Sequence, residues 1–183
     1  MDRRQKIAYA LASEEVGVRE VKGQQHNPDI VQMFADVGHA WVKDDETAWC
    51  AAFVGAMLER AGLPSMRKLT ARSYMDWGKP VAFDDAQPGD VIIFSRGDPK
   101  GWQGHVGFFV RHAGTHIEVL GGNQSDAVSI ARYPVSRLLG VRRWPSEQPV
   151  GAPVPAPEPE APKPGFLAAL IAAILSLFQR RKS

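Results

Sequence analysis

The sequence predicts an α+β fold, with helices in the first half and an antiparallel sheet in the second. Three observations carry this. Apolar residues recur at helical spacing up to about residue 78. After Pro88 the pattern changes to short runs rich in β-branched and aromatic residues. Those runs are separated by turn signals rather than by helices.

The helical half reads in order. Ile7, Ala8, Leu11 and Ala12 mark an amphipathic first helix. "NPDIVQMFADVG" marks a second, with Asn27 as N-cap, Pro28 at the first helical position and Gly38 as stop. "WCAAFVGAMLERAG" is a third, closed by Gly62 and Pro64, and "TARSYMDWG" a short fourth between Thr70 and Gly78. The strands follow as "DVIIFS", "HVGFFVR", "THIEVLG", "AVSIARY" and "LLGVRRW". Trp41, Trp49, Trp77 and Trp144 read as core or core-edge residues.

Three segments are expected. Residues 1–144 are globular. Residues 145–165, "PSEQPVGAPVPAPEPEAPKPG", nearly alternate proline with Ala, Val and Glu, which favours a polyproline-II spacer spanning roughly 60 Å. Residues 166–183 hold "FLAALIAAILSLF" followed by "QRRKS". A helix of that apolar run is about 20 Å long, short of the roughly 30 Å hydrocarbon core. Ala168, Ala172 and Ser176 form a stripe of small residues suited to close helix packing. The basic end suits anionic headgroups. The expectation is a helix that associates with a membrane surface; the alternative is a helix docked back on its own domain.

Composition narrows the function. The chain has 183 residues, 44% of them hydrophobic and 23% charged, with a formal net charge of +2. That charge is too mild to argue for nucleic acid. One cysteine excludes an intramolecular disulfide and a cysteine-rich zinc site. "MDRRQKIAYALASEEVG" reads as an amphipathic helix rather than a secretory signal, so synthesis in the cytoplasm is expected. The sequence leaves oligomeric state open.

The single cysteine, Cys50, falls where the acidic loop "KDDETAW" enters the third helix. At a helix N-terminus the partial positive charge favours a thiolate, as a nucleophile near neutral pH requires. A buried, inert cysteine packed with Ala51, Ala52 and Phe53 is the competing reading. His105 opens a strand after the glycine-rich loop "RGDPKGWQG" and supplies a candidate base. "LGGNQ" ends the next strand, so Asn123 returns beside His105 and is a candidate to orient its ring. Glu118 is a second candidate for that role, and a plain turn explains the glycines as well.

Trp102 and Arg72 are candidates for a substrate groove. The acids at 44 to 46 are a weak calcium signal, because a calcium loop needs spaced oxygen ligands. A solvated loop, or Asp45 complementing the helix N-terminus, explains them better. No cofactor and no metal site are expected.

Taken together, "DETAWCAAFV", "ARSYMDWG", "PGDVIIF", "GHVGFFV", "LGGNQ" and "LLGVRRW" resemble the papain-like cell-wall cysteine peptidases of the NlpC and CHAP (cysteine-, histidine-dependent amidohydrolase/peptidase) types. The nearer likeness is to a phage- and prophage-associated, endolysin-like subgroup. The resemblance spans roughly residues 5–144. It implies a papain-like fold and Cys50 as nucleophile, His105 as base and Asn123 as third member. It also implies peptidoglycan as partner, with hydrolysis of a stem-peptide amide bond in the periplasm or cell wall, by an endopeptidase or an N-acetylmuramoyl-L-alanine amidase. An oxyanion hole is required, with the Cys50 N–H as first donor and Thr47 or a backbone N–H as second. The alternatives are an intracellular amidase with another substrate and a catalytically silent wall-binding or scaffold domain.

Overall fold

A computed structural model describes residues 1–23 and 25–146, all within one compact unit, Met1–Glu147. The expected tail at 166–183 and almost all of the expected spacer at 145–165 lie outside the described residues. Among the described residues no helix is long and apolar enough to cross a membrane.

The α+β expectation holds. Helices α1 (Arg3–Glu14), α2 (Pro28–Asp36) and α3 (Cys50–Arg60) precede a six-stranded sheet. Its strands are β1 (Lys79–Val81), β2 (Val91–Ser95), β3 (Gly104–Ala113), β4 (His116–Gly121), β5 (Ser129–Pro134) and β6 (Leu138–Arg143), in the order β1-β6-β2-β3-β4-β5. Each neighbouring pair is antiparallel. The start of α2 follows its local chemistry, with the Asn27 side chain accepting from the Asp29 N–H at 2.9 Å and Pro28 opening the helix. The expected fourth helix is a 3₁₀ turn over Ala71–Asp76, and Thr70 caps it without a side-chain bond.

α3 is the central element. Every residue from Cys50 to Leu58 is buried, which a helix apolar on all sides demands. Small residues let neighbours close on it. A Cβ on Gly55 would stand 2.6 Å from Val37 and 2.8 Å from the Tyr74 hydroxyl. That hydroxyl donates to the Ala51 carbonyl at 3.1 Å. The main core joins α1, α2 and α3 to Val91, Ile93, Val106, Phe108 and Leu120 of the sheet. A smaller cluster around Ile92, Phe94, Phe109, Ile117 and Val119 covers the other face.

The loop entering α3 is fixed by Asp45, which is fully buried. Its carboxylate accepts from the Val21 N–H at 2.8 Å, the Asn27 N–H at 2.9 Å and His26 Nδ1 at 3.0 Å. Burial pushes its pKa up, but the donors outweigh burial and hold it below the usual carboxylate value. Asp44 accepts from the Thr47 N–H at 2.7 Å. These acids therefore tie the loop to the segment before α2. No group of three His, Cys, Asp or Glu side chains among the described residues converges as metal ligands would. Trp41 departs from expectation: it is 72% exposed, whereas Trp49 and Trp77 are buried.

Candidate active site

Cys50 and His105 line one cleft of about 180 Å³, together with Ala48, Thr70, Trp102 and Asn123. Cys50 is the first residue of α3, and Trp49 at the N-cap makes no side-chain capping bond. The helix therefore presents uncapped N–H groups beside the thiol, the arrangement that stabilises a developing anion. Trp49 anchors this end, fully buried, with its indole N–H donating to Glu20 at 2.6 Å. The Val106 N–H, one residue beyond His105 on β3, acts on the thiol and favours its anion.

His105 pairs with Phe94 in the β2–β3 register and is 1% exposed. Its ring lies on Tyr133, with centroids 4.8 Å apart and planes at 12°. Tyr133 in turn stacks on Phe94 at 4.9 Å, and the Arg137 guanidinium sits 5.7 Å from its ring centre. The imidazole plane is thus set by packing.

The group facing the far ring nitrogen is Gln124, not Asn123. Gln124 Oε1 lies 3.1 Å from His105 Nε2. The Gln124 amide nitrogen donates to the Val119 and Ser129 carbonyls, so Oε1 must be the atom turned to the ring. Facing an acceptor, Nε2 carries the proton, and Nδ1 keeps its lone pair as the basic atom. Asn123, Ser125 and Asp126 all have positive φ, and these left-handed steps turn Gln124 inward. Asn123 lines the cleft without bonding the ring. A Cβ on Gly121 would stand 3.1 Å from both His105 Nε2 and Gln124 Oε1.

Other expected site residues take different places. Glu118 accepts from Arg111 at 2.7 Å and from Arg132 at 3.0 Å across neighbouring strands, so its carboxylate is engaged away from His105. Thr47 donates its N–H to Asp44 at 2.7 Å and is not among the residues that line the cleft. Arg72 works through the cleft wall: it donates to the Gln103, Pro99 and Asp98 carbonyls and so holds the loop that carries Trp102. Trp102 is 75% exposed at the rim.

The protonation state also differs from expectation. Burial pushes the Cys50 thiol up, and the Val106 N–H and Arg96 only offset this in part. Burial pushes His105 down to about 4, opposed by the Gln124 bond and aided by Arg96 and Arg137. Desolvation outweighs the helix terminus, so the resting pair is neutral thiol and neutral imidazole.

This has a measurable consequence. Between pH 6.5 and 4 the unfolded chain protonates His105 and the folded chain does not. Folding therefore weakens as pH falls through that window, by about 3 kcal/mol at most. Urea unfolding of the wild type and of His105→Asn from pH 7 to 4 should show the smaller loss in the variant. Equal slopes would contradict a buried neutral imidazole.

Residues 41–123 match the CHAP domain family model. None of the curated proteins matches the sequence. Among solved structures, the hypothetical invasion protein of Mycobacterium tuberculosis aligns with a TM-score of 0.50 and 17% identity, over 79% of this chain and 64% of that one. A protein similar to a lipoprotein of the NLP/P60 family from Staphylococcus aureus aligns at 0.47 and 17%, over 78% and 42%. RipD of Mycobacterium tuberculosis, described as a non-catalytic NlpC/p60 domain protein adapted to peptidoglycan binding, aligns at 0.46 and 15%, over 78% and 98%. The chain thus spans less than two thirds of the first two relatives. Residues 41–123 are thus similar to a CHAP domain, and the α+β scaffold that carries Cys50, His105 and Gln124 has a papain-like fold.

Proposed function

We propose that the protein is a peptidoglycan hydrolase that cleaves a stem-peptide amide bond with Cys50 as nucleophile. The observation that supports this reading is the shared cleft. A thiol at a helix N-terminus sits beside an imidazole whose Nδ1 is left basic by Gln124. His105 Nδ1 takes the thiol proton as Sγ attacks the carbonyl carbon. The oxyanion forms beside the Cys50 N–H. The imidazolium then protonates the leaving amine, a thioester remains, and water activated by the same imidazole releases the acid. Tyr133 holds the ring plane through both proton transfers.

Within this class we assign an endolysin-like role in host lysis, acting at the wall. The basic-ended apolar run at 166–183 seats the enzyme on the membrane surface; its sequence pattern supports this. Removal of 166–183 should then lower co-sedimentation with anionic vesicles, and unchanged sedimentation would refute the assignment.

The central test uses isolated sacculi and the full chain, before and after iodoacetamide alkylation of its single thiol. Clearing that stops on alkylation supports the reading. New amino termini within the stem identify an endopeptidase, and release of the stem from the lactyl group identifies an amidase. Binding without fragment release would instead indicate a silent wall-binding domain, and clearing that survives alkylation would refute the Cys50 mechanism.

A further inference from the structure

A second basin, of about 440 Å³, lies beside the cleft, lined by Gln124, Ser129 and Tyr133 on one side and by Arg19 on another. Arg96 and Asn123 are shared by basin and cleft, so the two form one continuous surface. Its charge is one-sided. Arg19, Arg96 and Arg132 line it, and no Asp or Glu side chain lines either part. Arg132 is neutralised by Glu118 at 3.0 Å. Arg96 and Arg19 are different. Both are exposed, and neither guanidinium has a hydrogen-bond or ion-pair partner among the described residues.

Both are also held in place by backbone. The Arg96 N–H donates to the Gln103 carbonyl at 3.3 Å, directly after β2. Arg19 bridges Ala127, and its neighbours bond the 126–128 segment through Gly17, Val18 and Glu20. The backbone at both positions is therefore anchored beside the surface that runs past Cys50, His105 and Gln124. The field of Arg96 already reaches Cys50, His105 and Tyr133. A guanidinium recognises a carboxylate through paired N–H donors, a geometry an ammonium cannot match.

We infer that Arg96, assisted by Arg19, binds a free carboxylate of the substrate beside the scissile amide and so selects stem peptides that are not amidated there. This rests on the peptidoglycan reading above and adds the chemical class of substrate. Stem-peptide residues carry side or α-carboxyl groups that are either free or amidated. A neutral amide would neither pair with the guanidinium nor complement the positive surface.

The test uses soluble muropeptides released from sacculi by a muramidase, with carboxyl groups left free or converted to amides by carbodiimide and ammonia. The full-length wild type, Arg96→Met, Arg96→Lys and Arg19→Met are compared by kcat and KM on both pools. The wild type should prefer the free pool by about 10-fold or more in kcat/KM, mostly through KM. Arg96→Met should lose most of that preference, its kcat/KM falling several-fold more on the free pool than on the amidated one. Arg96→Lys should regain part of it, and raising salt should erode it in the wild type. Equal use of both pools by an active wild type, or an equal loss on both pools in Arg96→Met, overturns the inference and leaves the hydrolase reading intact. A wild type inactive on both pools overturns both.

Discussion

Cys50→Ala and His105→Asn should each slow stem-peptide hydrolysis by more than about 10⁴-fold, and the double variant should be no slower than either alone. The reason is mechanistic coupling. The resting thiol is held neutral by burial, so it becomes a nucleophile only as His105 Nδ1 removes its proton. Without the base the thiol stays protonated, and without the thiol the base has nothing to activate. Either loss therefore removes the same step. Gln124→Ala should fall between these and the wild type, about tenfold slower, because the ring stays stacked on Tyr133 and loses only its tautomer-fixing partner. Initial rates on muropeptides, with thermal melts to confirm folding, give the readout. A double variant slower by the product of the single effects would mean that the two residues act independently, against the proposed pair.

Gly122→Ala should cost about 3 kcal/mol of stability, whereas Gly121→Ala should cost activity more than stability. The added methyl at 122 would overlap Trp49 Cζ3 and stand 2.6 Å from Cε3 and 2.7 Å from the Phe53 Cβ. Those atoms belong to fully buried residues at the start of α3, so the indole cannot swing into solvent. Its N–H bond to Glu20 also opposes any shift. The strain must pass into the backbone that carries Cys50. At 121 the nearest atoms to the methyl would be the His105 and Gln124 side-chain tips at 3.1 Å, a contact that a shift of tenths of an ångström relieves. That displacement loosens the contact that sets the imidazole tautomer. Denaturant midpoints, tryptophan emission and rates together separate the two variants. A Gly122→Ala protein as stable as the wild type would show that the α3–β4 contact is looser than described.

These adjacent glycines also show why some of the molecule was legible in the sequence and some was not. α2 was legible because its signals are local: Asn27 caps, Pro28 starts the helix, and the apolar face repeats within one segment. Five of the strands were legible for the same reason. β1 was not, because "KPV" is three residues long and becomes a strand only through pairing with β6. Cys50 and His105 stood out as a lone thiol at a helix start and an imidazole at a strand start. Gln124 was missed because three left-handed residues around it shift the inward position by one, and no periodic pattern reports such a turn. Tyr133 was missed because its stacking on His105 and Phe94 is a tertiary contact: β4 lies between β5 and β3 in the sheet, so no strand-pair register reports it. The neutral resting pair was hidden because desolvation depends on how much of the chain covers the site.

Arg72 grips the 98–103 loop entirely through main-chain carbonyls, those of Gln103, Pro99 and Asp98. A clamp of this kind is indifferent to side-chain identity. The wall of the cleft keeps its shape while the residues displayed on it are exchanged, provided the spacing of the three carbonyls is kept. On the proposed hydrolase reading, substitution within the loop can change what the cleft prefers, whereas inserting or deleting a single residue there would break the grip. The protein separates the geometry of this loop from its content, and one arginine far upstream holds the boundary between them.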